Sequence, residues 1–225
     1  MPEVKPWSYS ALTAYETCPK KYWHLSVGKD VKEPPSEILE WGSQVHKAVE
    51  NNIKKDKPLP MGMKQFGKVV EPLKNAGKRA QSTAVELKLA LDRNFQPCGW
   101  FGEQVWVRSV LDYAIMNKNK AMLIDWKTGK RRENEEQLSL MTAVMFAQDE
   151  DLEAVDSAFV WLAEPPSRAI SRVSYSRADL PRIWDNFLPR VERYEAAHRH
   201  QEFPAKPNFQ CERFCPVKSC PYNGR

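Results

Sequence analysis

Two aspartates and a lysine are the residues best suited to chemistry in this sequence: Asp112 in V-L-D-Y-A, and Asp125 with Lys127 in L-I-D-W-K-T-G. Carboxylate oxygens are the ligands a hard divalent cation such as magnesium prefers, and a nearby ammonium can orient or polarise a water held beside it. That combination suits hydrolysis. Asp-x-Lys also marks many solvated strand ends and ion pairs, so the surrounding elements must decide. Val107 to Met116 is β-rich, Asn117 to Lys120 supplies turn residues, and Ala121 to Lys127 forms a second β-rich run. In that second run Met122, Ile124 and Trp126 share one face and Leu123, Asp125 and Lys127 the other. An acid and an amine therefore emerge together from one strand end.

Other elements flank this hairpin. Ala84 to Asp92 alternates strictly, with Val85, Leu87, Leu89 and Leu91 against Glu86, Lys88 and Asp92, so Glu86 either reaches the Asp112 site or lies on a solvated face. Residues 36 to 55 read as an amphipathic helix whose Ile38, Trp41, Val45, Val49 and Ile53 track one side. His46 beside that stripe is either a hydrogen-bonded core-edge residue or a metal ligand. A second helix is expected over Lys64 to Ala76. Past Lys127, Lys130, Arg131 and Arg132 sit where cations at a cleft rim would meet phosphates. Glu135 to Gln148 follows as a helix, with Gln137 near its start and Leu138, Met141, Val144, Met145 and Gln148 along one side.

Strands over Ser157 to Ala163 and Ala169 to Tyr175 come next. A long helix over Asp179 to His200 then turns Leu180, Ile183, Phe187, Val191 and Tyr194 inward, with Pro189 bending it. His198 and His200 are expected in solvent at its end. This order implies an α/β fold, a mixed sheet flanked by helices.

The chain has 225 residues, 42% hydrophobic and 28% charged, which fits one globular domain with a full core rather than a disordered chain. No apolar run is long enough for a membrane helix and no secretory signal is read, so a cytoplasmic location and no membrane partner are expected. The net charge of +5 favours a polyanionic partner. Five cysteines without a secretory context point to metal ligation or free thiols. Cys211, Cys215 and Cys220 crowd the last stretch, C-E-R-F-C-P-V-K-S-C, and lack a fourth partner for tetrahedral zinc or a four-iron cluster. Near the other end, serines cap a helix in W-S-Y-S-A-L, and Pro19 ends or bends it just after Cys18.

Taken together, these stretches resemble the PD-(D/E)XK nuclease superfamily in its RecB-like exonuclease branch, which includes phage exonucleases and iron-sulfur nucleases of CRISPR adaptation. The resemblance rests on S-Y-S-A-L-T-A-Y-E-T-C-P-K-K-Y, G-S-Q-V-H-K-A-V-E, V-L-D-Y-A, I-D-W-K-T-G and E-Q-L-S-L-M, in that order. Ser109 and Met141 depart from the residues many relatives carry there, and neither position supplies a ligand. The resemblance implies a restriction-endonuclease-like fold over residues 1–225, with 1–30 and 205–225 forming a cysteine-cluster subdomain. It implies magnesium or manganese held by His46, Asp112, Asp125 and the carbonyl of Trp126, with Lys127 and Gln137 serving the water and the scissile phosphate. Cys18 would join Cys211, Cys215 and Cys220 around a structural 4Fe-4S cluster, and Cys98 would stay outside it.

The expected activity is hydrolysis of DNA at single-stranded or duplex ends, in recombination, repair or phage DNA processing, in a bacterial or phage-infected cell. Three alternatives stay open at this point. The cysteines can bind zinc or no metal, the fold can serve as a DNA-binding module without catalysis, or the chain can be a zinc-stapled interaction protein. A protein partner or a homo-oligomer is compatible with each.

Overall fold

The computed structural model describes residues 4–132 and 134–225, so the first three residues of the expected terminal subdomain lie outside it. The chain runs through helices α1 (Tyr9–Thr17), α2 (Pro19–Tyr22), α3 (Glu37–Lys55) and α4 (Gly67–Lys78). Strands β1 (Ser82–Leu91), β2 (Val107–Asn117) and β3 (Lys120–Lys127) follow. Then come α5 (Glu136–Gln148), β4 (Ala154–Trp161), β5 (Ile170–Ser176), α6 (Leu180–His200) and α7 (Gln210–Arg213). The contacts divide the chain into two compact units, one made of residues 37–184 and one of residues 1–36 with 185–225.

In the 37–184 unit the five strands form one sheet in sequence order, antiparallel except for the parallel pair β3 and β4. A parallel neighbour cannot be reached by a tight turn and needs a crossover, which here is α5. That topology brings the start of α5 close to the end of β3. The expected hairpin is present, with Tyr113 opposite Ile124 and Asn117 opposite Lys120. On one side of the sheet Tyr113, Ile115, Ile124 and Trp126 pack with Val45 and Val49 of α3 and Val69 and Val70 of α4. Gly77 of α4 is essential to that packing, because a Cβ there would fall 1.7 Å from the Tyr113 hydroxyl.

Two helices differ from their sequence reading. The expected helix over Lys64 to Ala76 begins as a 3-10 turn, Met61–Phe66, before α4 takes over. The α5 helix is buried around most of its circumference, including Leu140, Thr142, Ala143 and Phe146, rather than along one stripe. Its sequence E-Q-L-S-L-M-T-A-V-M-F-A-Q is apolar all round, as a helix enclosed in a core must be. The one buried hydroxyl, Thr142, meets Ser157 of β4 at 2.7 Å.

In the other unit the Ser8 hydroxyl caps α1 by accepting the Ala11 N–H, and Cys18 sits extended between α1 and α2 with Pro19 next. The Arg190 guanidinium grips the Glu16 carboxylate through two bonds of 2.7 Å. The α6 helix runs on through Pro189. His198, expected in solvent, is instead 1% exposed, and its Nε2 lies 3.1 Å from the Tyr22 hydroxyl, itself 2.6 Å from that of Tyr194. The aromatic rings of Tyr22, Tyr194 and Phe203 surround it, which no pattern local to α6 reveals. His200 is exposed as expected. Among the described residues no helix is long and apolar enough to cross a membrane.

Candidate metal centre

Asp112 lies in the middle of β2, where from Val107 to Tyr113 odd positions are buried and even ones are not, so its carboxylate stands on the accessible side of the alternation. The β2–β3 ladder is in register as far as Tyr113 and Ile124. One step further, Asp112 Oδ2 itself accepts the Trp126 N–H at 2.8 Å, so the carboxylate takes over from the ladder beside Asp125. The same oxygen is 3.4 Å from His46 Nδ1 of α3. On β1, Val85 pairs with Tyr113 and Leu87 with Leu111, which sets Glu86 across from Asp112. Glu86 holds φ at +56°, a left-handed conformation rare for a non-glycine residue within a strand.

His46, Glu86 and Asp112 each offer a ligand atom within 4.8 Å of the others, and among the described residues they are the one such group. Their electrostatics call for a cation. Burial, with repulsion from Asp112 and Glu50, pushes the Glu86 carboxyl up, and contact with Asp112 raises the His46 imidazole pKa against the opposing effect of burial.

Asp125 and Lys127 form a second cluster with Gln137. Lys127 Nζ donates to Gln137 Oε1 at 2.9 Å, and Gln137 Nε2 donates to Asp125 Oδ1 at 2.6 Å. Lys127 Nζ closes the ring at 2.6 Å from Asp125 Oδ2, an ion-pair contact without hydrogen-bond alignment, so this buried oxygen has no aligned donor. Burial raises the Asp125 carboxyl to about 6 despite the attraction of Lys127, with Asp112 adding repulsion. Phe159 was not anticipated. It stands opposite Asp125 in the parallel β3–β4 register, with Lys127 Nζ 4.8 Å from its ring centre. That neighbour depends on the crossover, which nothing local to Phe159 announces.

The structure thus brings His46, Glu86 and Asp112 together, and joins Asp125, Lys127 and Gln137 beside them through the Trp126 backbone. The cysteines are elsewhere. Cys18, Cys211, Cys215 and Cys220 line one cavity in the terminal unit, and Cys98, in the other unit, is not among its lining residues. Lys206 N–H points to Cys18 Sγ at 3.5 Å and Asn208 N–H to Cys211 Sγ at 3.4 Å.

The family model of the PD-(D/E)XK nuclease superfamily matches residues 6–221. The chain belongs to that superfamily. A crystal structure of a candidate exonuclease from Eubacterium rectale aligns with a TM-score of 0.52 over 92% of this chain and 91% of its own, at 13% identity, which shows a shared fold. The structure of SSO0001 aligns over 95% of this chain and 96% of its own, at 15% identity and a TM-score of 0.39. No curated protein matches. For a PD-(D/E)XK nuclease the mixed sheet and its flanking helices are the restriction-endonuclease-like fold expected from the sequence.

The residues present fit a divalent cation. One imidazole and two carboxylates converge, and the carboxyls of Glu86 and Asp125 have pKa values raised by burial and neighbouring acids, which a cation would relieve. The set carries nitrogen and oxygen donors and no thiolate.

Proposed function

We propose that the protein is a metal-dependent deoxyribonuclease that hydrolyses phosphodiester bonds at DNA ends. The observation that carries this reading is the convergence of His46, Glu86 and Asp112 beside the Asp125–Lys127–Gln137 ring. His46, Glu86, Asp112, Asp125 and the Trp126 carbonyl would hold magnesium or manganese. When bound, the metal lowers the pKa of a water and offsets charge on the phosphate and leaving oxygen.

The protein groups then have separate tasks. Asp125 fixes the Lys127 ammonium, which points its remaining donor capacity at the attacking water or a phosphate oxygen. Gln137, bonded to both, prevents Lys127 from swinging away and holds Asp125 in its ionised orientation. Asp112 ties the Trp126 backbone to the metal site, so its carboxylate positions the strand as well as the ion. Lys130, Arg131 and Arg132 supply phosphate contacts on the strand that leads in.

The four clustered cysteines are proposed to hold a structural iron-sulfur cluster. Support comes from their shared cavity and from the backbone N–H groups aimed at Cys18 and Cys211. Cleavage from an end rather than internally agrees with the exonuclease name of the Eubacterium rectale neighbour.

The test is degradation of end-labelled single- and double-stranded DNA by anaerobically purified protein, with manganese and with EDTA. Shortening from the labelled or unlabelled end, only with metal, and its loss in Asp112→Ala while DNA is still bound, is the expected result. Intact DNA under every metal condition would leave a DNA-binding module in place of an enzyme.

A further inference from the structure

Lys88 and Arg108 lie against the same indole: Lys88 Nζ is 5.6 Å and Arg108 Cζ 5.4 Å from the centre of the Trp100 ring. Strand register explains how they meet. Lys88 of β1 pairs with Val110 of β2 and Ala90 with Arg108, so the two cations are diagonal neighbours on one side of the β1–β2 pair. The loop between the strands brings the ring to them. Pro97 bridges to Leu91, and the Cys98 N–H donates to the Ala90 carbonyl at 3.1 Å, two residues before Trp100. Folding leaves both charges unanswered. Among the described residues neither side chain forms an ion pair or donates a hydrogen bond, and Arg108 Nε is buried with no acceptor. Gathering two like charges and burying an unmet donor both cost stability, which the indole offsets only in part. An anion would offset the rest.

The accessible side of β2 carries Arg108, Val110 and Asp112 in turn. Strand rise puts the Lys88–Val110 pair about 7 Å and Arg108 about 13 Å from Asp112, and both Lys88 and Val110 are exposed. We propose that Lys88 and Arg108, held on the Trp100 ring, bind backbone phosphates of the DNA strand that is cut at the Asp112 site. This rests on the nuclease reading above and adds the path of the strand, along the β1–β2 surface away from the metal centre. A stacked strand rises 3.4 Å per nucleotide, so the cations meet it about two and four nucleotides from the cut. Charge decides the occupant. Glu86, Asp112 and Asp125 oppose the approach of a polyanion, and two unpaired cations one and two steps away counter that repulsion. Contacts of this kind position a strand without reading its bases, so the grip carries no sequence preference.

The test measures binding of a fluorescent single-stranded oligonucleotide by anisotropy over a range of salt, in EDTA so that nothing is cut, with the thermal midpoint of each protein alongside. Lys88→Gln and Arg108→Gln should each flatten the slope of log affinity against log salt by about 0.7, and the double variant by about 1.4. Lys88→Arg keeps the charge and should keep the wild-type slope. So should Lys120→Gln, which removes an exposed cation at the start of β3. Lys88 is exposed, so its variants keep the test open should Arg108→Gln unfold. An unchanged slope in Lys88→Gln and in the double variant overturns the proposal. An equal flattening in Lys120→Gln also does, because net charge alone would then explain it. A fallen midpoint with the slope intact overturns it too, and gives the two cations to packing of the loop. Failure of the nuclease reading looks different: the slopes would change as expected while wild type cut no strand with manganese.

Discussion

His46, Glu86 and Asp112 reach one another from a helix and two paired strands, whereas Cys18, Cys211, Cys215 and Cys220 come from a helix junction and a tail with four residues of helix. The first set is held by a ladder that exists whether or not a metal is bound. Its cost is the burial of acids, with repulsion between them second, seen in the raised pKa values of Glu86 and of the neighbouring Asp125. The second set has little regular structure to hold it, and a metal there would form part of the fold itself. Two donor sets in one chain should therefore fail in opposite ways when a ligand is lost.

The largest effect is expected at the sheet. Asp125→Asn should lower the rate of DNA hydrolysis by about 10² to 10³ while shifting the thermal midpoint little, because it removes charge from a scaffold that the strands already fix. A large fall in midpoint with the rate per folded molecule preserved would break the comparison. Cys18→Ala should behave in reverse, losing iron and sulfide and dropping the midpoint by about 10 °C, a few kcal/mol for a chain of this length. Cys98→Ala, whose thiol lies in the sheet unit, should change neither metal content nor midpoint. Iron retained in Cys18→Ala would remove that residue from the ligand set.

His46→Ala should show a smaller, graded defect. The imidazole is one ligand among several, so activity should recover at high manganese, with the concentration for half-activity raised at least about tenfold. A stability loss with unchanged metal dependence would return His46 to the core edge.

What could be read from the sequence follows from how local each cause is. Alternation and turn residues marked β2 and β3 because each strand signals its own faces, and the same parity put Asp125 and Lys127 on one side. Glu86 was readable only as a possibility, since its place opposite Asp112 depends on β1 register and on a positive φ. Gln137 came from family resemblance alone, ten residues beyond Lys127 across a loop whose path periodicity does not encode. The stripe on α3 was visible in full, but not that it leaves the core at Ile38 and Trp41, because sequence shows which side chains share a face and not how far the core extends. His198 was misread for a related reason: its burial is provided by Tyr22, distant in sequence.

That histidine gives the comparison its finest test, a pH response assigned to the terminal unit alone. Burial lowers the His198 pKa, and Lys5 adds to the effect while Glu195 opposes it. The folded protein therefore refuses a proton that the unfolded chain accepts near its ordinary value of about 6.5. Stability from the neutral, buried ring is fully present above that pH and is lost as the pH falls below it toward the depressed folded value, with a slope of at most about 1.4 kcal/mol per unit. His198→Gln keeps an acceptor for the Tyr22 hydroxyl and cannot titrate. Thermal unfolding of both proteins at pH 8, 6.5 and 5 should show the wild type losing on the order of 1 kcal/mol relative to the variant between the last two values, with parallel behaviour above. Parallel curves over the whole range would mean that His198 binds its proton equally in the folded and unfolded states, and would remove the terminal unit's separate response to acid.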